Sequence, residues 1–199
     1  MEQDNAFDIL IKNLSKRGLK CETQYDERNF IVPGSDRMMN TKYVIASLGS
    51  CFFCAHDSFG SGSASSSTYT GIYASVYLPP EAACYIYKKD WTDRIFRFKK
   101  RKTGVGYIDD NLTVTSSSGW TPVHLISHKD VGLFLEIHKK ITPLKMIIQH
   151  DYFVTVQQLQ GRTVIGIETD SWLYEDKDLE VMINLGGQLI NNMKTKSHD

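Results

Sequence analysis

No apolar run in this chain approaches the roughly 20 residues that a bilayer span requires, so no transmembrane helix is expected. Charge of one sign is missing too. Lys plus Arg and Asp plus Glu both number 23, the formal net charge is zero, and any attraction to nucleic acid or an anionic membrane must come from a local patch. The four cysteines, at 21, 51, 54 and 84, are too few and too irregular for the disulfide framework of a small secreted domain. Met1 is followed by Glu2, Asp4 and Asp8 where a secretory leader would place basic and then apolar residues. A cytoplasmic setting is the expectation. No serine sits in a G-x-S-x-G elbow, and the Gly/Ser-rich run 60–68 lacks the Gly-Lys-Ser/Thr ending of a phosphate loop. No motif asks for a cofactor, and catalysis has no positive sign.

Tyrosine, in contrast, is plentiful. From Thr68 to Leu78, Ile72, Ala74, Val76 and Leu78 alternate with Tyr69, Gly71, Tyr73, Ser75 and Tyr77. Period two marks a strand, and a tyrosine face in place of the usual Lys and Glu predicts cover on both sides, hence a central strand. Cys84 to Lys88 repeats the pattern, with Tyr85 and Tyr87 on one face and Cys84 and Ile86 on the other.

Around these strands, a first helix is capped by Asn5 and carries Phe7, Leu10, Ile11 and Leu14 to a stop at Gly18. Short strands are expected at Leu19 to Tyr25 and Phe30 to Val32, joined by a turn at 26–29, with a longer one from Lys42 to Cys54. The run 60–68 reads as a loop between strands. Further strands are expected at Ile95 to Phe98 and Leu112 to Ser116. A helix begins near Ser127 and ends before Pro143. Three strands follow, Lys145 to Gln149, Tyr152 to Leu159 and Thr163 to Glu168, joined by turns short enough for antiparallel hairpins. A last helix starts near Asp176; its Gly186 and Gly187, costing about 1 kcal/mol each against Ala, predict close approach to another backbone.

The order is helix, strands, helix, three strands, helix. That predicts an α+β fold with an antiparallel sheet and helices packed on one face. Length favours a single domain over 1–199, with a hint of two similar halves at about 1–120 and 121–199.

Three constellations invite chemistry. Cys51 and Cys54 form a C-x-x-C with His56 nearby, the raw material of a redox pair or a metal site. Their favoured reading is small apolar residues filling a strand. Second, Arg94, Arg97, Lys99, Lys100, Arg101 and Lys102 form a basic cluster. Beside Tyr69, Tyr73, Tyr77, Tyr85 and Tyr87 it would make an aromatic platform with a cationic rim for single-stranded nucleic acid, another polyanion or a glycan. The competing reading buries the tyrosines under a helix and leaves the cations as a solvated sheet edge. Third, Asp109, Asp110 and Asn111 offer oxygens to a hard cation, or simply turn the chain.

Gly71, Thr103, Gly104, Asp109 or Asp110, Leu112, Val114 and Ser116 resemble the pattern of a family of uncharacterised bacterial domains: a strand with a central Gly, a Thr-Gly turn, an Asp and a Leu-x-Val-x-Ser strand. The resemblance runs over about residues 69–193. It implies a helix, a hairpin pair and a C-terminal helix, and a binding or accessory role without an assigned activity. The expectation is therefore a non-enzymatic domain binding a protein or small molecule, with self-association as an added option. Two alternatives stand beside it: a nucleic-acid or polyanion binder using Arg97, Lys99, Arg101 and the tyrosines, and a redox or metal protein using Cys51, Cys54 and His56.

Overall fold

The computed structural model describes residues 5–32, 35–60, 67–90, 100–116, 118–153 and 156–197; along strand residues 25–32, 35–41, 58–60, 67 and 100–101 the description is of the backbone. Helix α1 (Ala6–Lys16) begins where the Asn5 side chain accepts hydrogen bonds from the amides of Phe7 and Asp8, and it ends at Gly18, whose φ of 74° suits a residue without Cβ. Its apolar stripe buries Leu10 and Leu14 against the sheet, each side chain contributing roughly 1.5–3 kcal/mol.

Strands β1 (Cys21–Val32), β2 (Ser35–Leu48), β3 (Cys51–Gly60), β4 (Ser67–Val76), β5 (Cys84–Lys88), β6 (Lys100–Arg101), β7 (Leu112–Thr115), β8 (Lys145–His150) and β9 (Thr163–Thr169) form one sheet in the order β1-β2-β3-β4-β9-β8-β5-β7-β6. Every neighbouring pair is antiparallel. The fold is α+β, as the element order predicted. β4 lies well inside the sheet, between β3 and β9.

Helices α2 (Gly106–Asp109), α3 (His128–Lys140), α4 (Asp176–Val181) and α5 (Gly187–Lys196) complete the chain, α4 running into α5 through a π-helical turn at Met182–Gly186. The main core joins Phe134, Ile137, Met182, Leu189 and Ile190 of this layer to Phe53, Ile72, Ala74 and Ile167 of the sheet. Gly186 stands against this face: an added Cβ would meet Met182 Sδ at 3.2 Å and Ile167 Cγ2 at 3.3 Å. The close approach expected there is to side chains, and Gly187 has open space instead. No helix among the described residues is long and apolar enough to cross a membrane.

Three expected boundaries change. β1 runs unbroken through 26–29, because continuous pairing from Cys21 with Ala46 to Val32 with Ser35 outweighs the turn propensity of those residues. The stretch from Lys42 to Cys54 is two strands. Gly49, with φ 70°, and Ser50 turn a hairpin that pairs Leu48 with Cys51. Among the described residues of 152–159 none lies in a strand. Phe153, Val156 and Leu159 are buried, and the Leu159 and Gln160 amides both bond the Val156 carbonyl, so 156–160 forms a turn. The expected strand at Ile95 to Phe98 lies outside the described residues, as do 61–66 of the expected Gly/Ser loop.

Candidate functional site

Pairing register assigns the face away from the helices. One row across it reads Ile45, Cys54, Gly71, Glu168, Lys145 and Tyr87; the next reads Ser47, Phe52, Tyr73, Gly166, Ile147 and Tyr85. Tyr69 and its partner His56 begin a third. The tyrosine face foreseen from alternation is real, and it divides into two zones.

The inner zone is closed over Tyr73. Tyr73 is fully buried beneath the 151–162 connection, its ring edge-on to Phe153 with centroids 4.6 Å apart. Two glycines make room for it. A Cβ on Gly166 would stand 2.3 Å from Tyr73 Cδ1, and one on Gly71 would stand 2.9 Å from the Tyr73 hydroxyl oxygen. Lying across Gly166, Tyr73 donates to Glu168 Oε2 at 2.6 Å. Tyr152 reaches down from the connection to donate toward both oxygens of the same carboxylate, at 3.0 and 3.1 Å. Lys145 Nζ stands 3.1 Å from Glu168 Oε1 and 2.6 Å from Asp170 Oδ1. A buried carboxylate thus has two phenols and an ammonium around it, which is how a charge is kept in an interior. Burial and the neighbouring carboxylate push the Tyr73 and Tyr152 phenols well up, so both remain hydrogen-bond donors. Burial disfavours charge on Lys145, but Asp170 and Glu168 outweigh it and its pKa rises. Tyr69, half-buried, stacks on His56 with centroids 4.8 Å apart and a 20° interplanar angle.

The outer zone is open. Among the described residues the exposed large hydrophobic side chains are Tyr77 at 81%, Tyr85 at 37% and Tyr87 at 38%. Tyr85 and Tyr87 stack at 6.5 Å between centroids, 25° from parallel. The Tyr85 hydroxyl donates to Gln149 Oε1 at 2.8 Å, and Lys145 is the cross-strand partner of Tyr87. Tyr77 lies just beyond the end of β4.

The remaining candidates disperse. Arg94, Arg97 and Lys99 lie outside the described residues. Arg101 pairs with Val114, one step out of register with Thr115 and Tyr85, so its position belongs to the row of Ile86. Cys51 and Cys54, three apart in a strand, fall on opposite faces. Cys51 bonds Asn191 Oδ1 at 3.2 Å on the helix side, and Cys54 lies in the cluster with Tyr73. Burial pushes both thiols up, so neither is poised as a thiolate. His56 shares a face with Cys54 but not with Cys51. Among the described residues no group of three or more His, Cys, Asp or Glu is placed to hold a metal. The Asp109 carboxylate is occupied locally, accepting from the Thr103 amide and hydroxyl, each at 2.8 Å, and from the Gly104 amide at 3.0 Å.

Sequence reasoning passed over Glu168, Tyr152 and Lys145. A lone acid, Glu168, directly after the apolar run from Val164 to Ile167 was the available signal, since a charge in a two-sided buried strand has to be met by partners. No family profile, curated protein or solved structure matches this chain.

Proposed function

We propose that the chain is a non-enzymatic binding domain, and that the open flank of its tyrosine face takes a ring-bearing ligand, a sugar above all. One observation carries this reading: the large hydrophobics exposed among the described residues are all tyrosines, and two of them, Tyr85 and Tyr87, stack side by side on the sheet. A tyrosine pair offers flat apolar area at low entropic cost. Around it, the Gln149 amide and the Lys145–Asp170 pair supply the donors and acceptors that ring hydroxyls require. The groups that suggested chemistry are otherwise engaged. Glu168 is held by three partners, and the thiols of Cys51 and Cys54 are buried.

The test is titration with neutral oligosaccharides of glucose, N-acetylglucosamine and mannose, read by calorimetry. At least one should bind wild type, and Tyr85→Ala/Tyr87→Ala should bind it at least tenfold more weakly while keeping the wild-type circular dichroism. Saccharides that fail to bind, or that bind the variant equally well, would refute the reading.

A second reading, a single-stranded nucleic acid on the same flank, draws on Lys100, which pairs with Thr115 in the row of Tyr85. It requires affinity for oligonucleotides that falls steeply with added salt.

A further inference from the structure

Where β4 ends and β9 begins, a depression of about 610 Å3 opens beside Lys194 of α5. Its size falls within the roughly 300–1,000 Å3 usual for small-molecule clefts. Three basic side chains line it from three parts of the chain: His150 at the end of β8, Arg162 just before β9 and Lys194 on α5. Tyr77 and Leu78 add an aromatic and an aliphatic wall, and no acidic residue is among the described lining residues. The adjacent acid, Asp151, is turned to the Gly161 amide, which its Oδ1 accepts at 3.1 Å.

Arg162 and Lys194 have donors to spare. Arg162 forms no ion pair or side-chain hydrogen bond among the described residues. Lys194 spends one of its three protons on the Ser50 carbonyl at 3.1 Å. His150 is oriented by Thr163. The Thr163 hydroxyl donates its one proton to the Leu78 carbonyl at 3.0 Å, and His150 Nδ1 stands 3.2 Å from the same oxygen. With that proton given away, the oxygen accepts from Nδ1–H, which leaves Nε2 to accept from a ligand hydroxyl.

We propose that this depression binds a phosphorylated small molecule bearing a flat ring, with Arg162 and Lys194 around the phosphate and Tyr77 against the ring. Cations approaching from separate elements suit a tetrahedral dianion, and the planar guanidinium can engage two of its oxygens at once. Tyr77, the most exposed large hydrophobic side chain described, supplies a stacking surface. This inference stands independently of the saccharide reading, because the two surfaces share no residue.

Amide-shift titration of the 15N-labelled chain with AMP tests it, with ribose 5-phosphate as the control lacking the base and adenosine as the control lacking phosphate. AMP should shift Gly161, Arg162 and Thr163 and bind at least fivefold more tightly than either control. Arg162→Gln/Lys194→Gln should weaken AMP at least tenfold and leave the amide spectrum otherwise native; should the pair disturb the fold, Arg162→Gln alone is used, with the same loss expected. AMP binding that is absent, no tighter than either control, or unchanged in the variant overturns the proposal.

Discussion

Gly166 decides whether the inner aromatic zone can exist. It faces Ile147 on one side and the Tyr73 ring on the other, and any side chain there would occupy the space of the ring. Gly166→Ala should destabilise by about 1–3 kcal/mol through overpacking, since Tyr73 must move off Glu168 to admit the methyl group. Urea unfolding monitored by circular dichroism measures this, and an unchanged midpoint would mean that the ring does not lie over Gly166. The alternation of Tyr69, Gly71 and Tyr73 already marked this face in the sequence. What the sequence did not disclose was the depth to which each tyrosine lies. Tyr73 and Tyr85 look alike in a period-two strand, and only the 151–162 connection, arriving from elsewhere, makes one core and leaves the other open.

The elements that formed as expected are those with local signals. α1 has its Asn5 cap, and α3 has a reciprocal capping box in which Ser127 and Asp130 satisfy each other's orphan groups. Where the deciding contact is distant, local reading failed. Residues 26–29 look like a turn until β2 lies beside them, and 152–159 looks like a strand until Phe153, Val156 and Leu159 are seen to face the same way. Asp130 also performs a long-range task. Besides capping α3, its carboxylate accepts from Asn192 at 2.9 Å and pairs with Lys196, fastening α5 to α3. Burial alone would raise its pKa, but Lys196, Ser127 and Asn192 outweigh that and hold it below the ordinary 3.8. A depressed carboxylate stabilises the fold above its unfolded pKa, and the contribution is lost as pH falls through the folded value. Asp130→Asn should therefore cost about 1–3 kcal/mol at pH 7. Near pH 2 the variant and wild type should unfold together. Denaturant titrations at the two pH values check it, and a gap that persists in acid would contradict the assignment.

Over the whole molecule, one antiparallel sheet carries helices on one face and, on the other, a layer of aromatic side chains partly closed by a crossing connection. The fold class was legible from element order, because consecutive hairpins and segregated helices leave few arrangements. The insertion of β9 and β8 between β4 and β5 was not legible, since no local residue records which strand edge a later hairpin will meet. For the same reason Glu168, Lys145 and Tyr152, spread over two strands and a connection, did not read as one network. The functional account depends on the division of the tyrosine face, and tyrosine nitration of the native chain followed by peptide mapping tests that division most directly. The account predicts that Tyr77, Tyr85 and Tyr87 are nitrated first, while Tyr73 reacts only once the chain is unfolded. Nitration of Tyr73 at the rate of Tyr85 would contradict it.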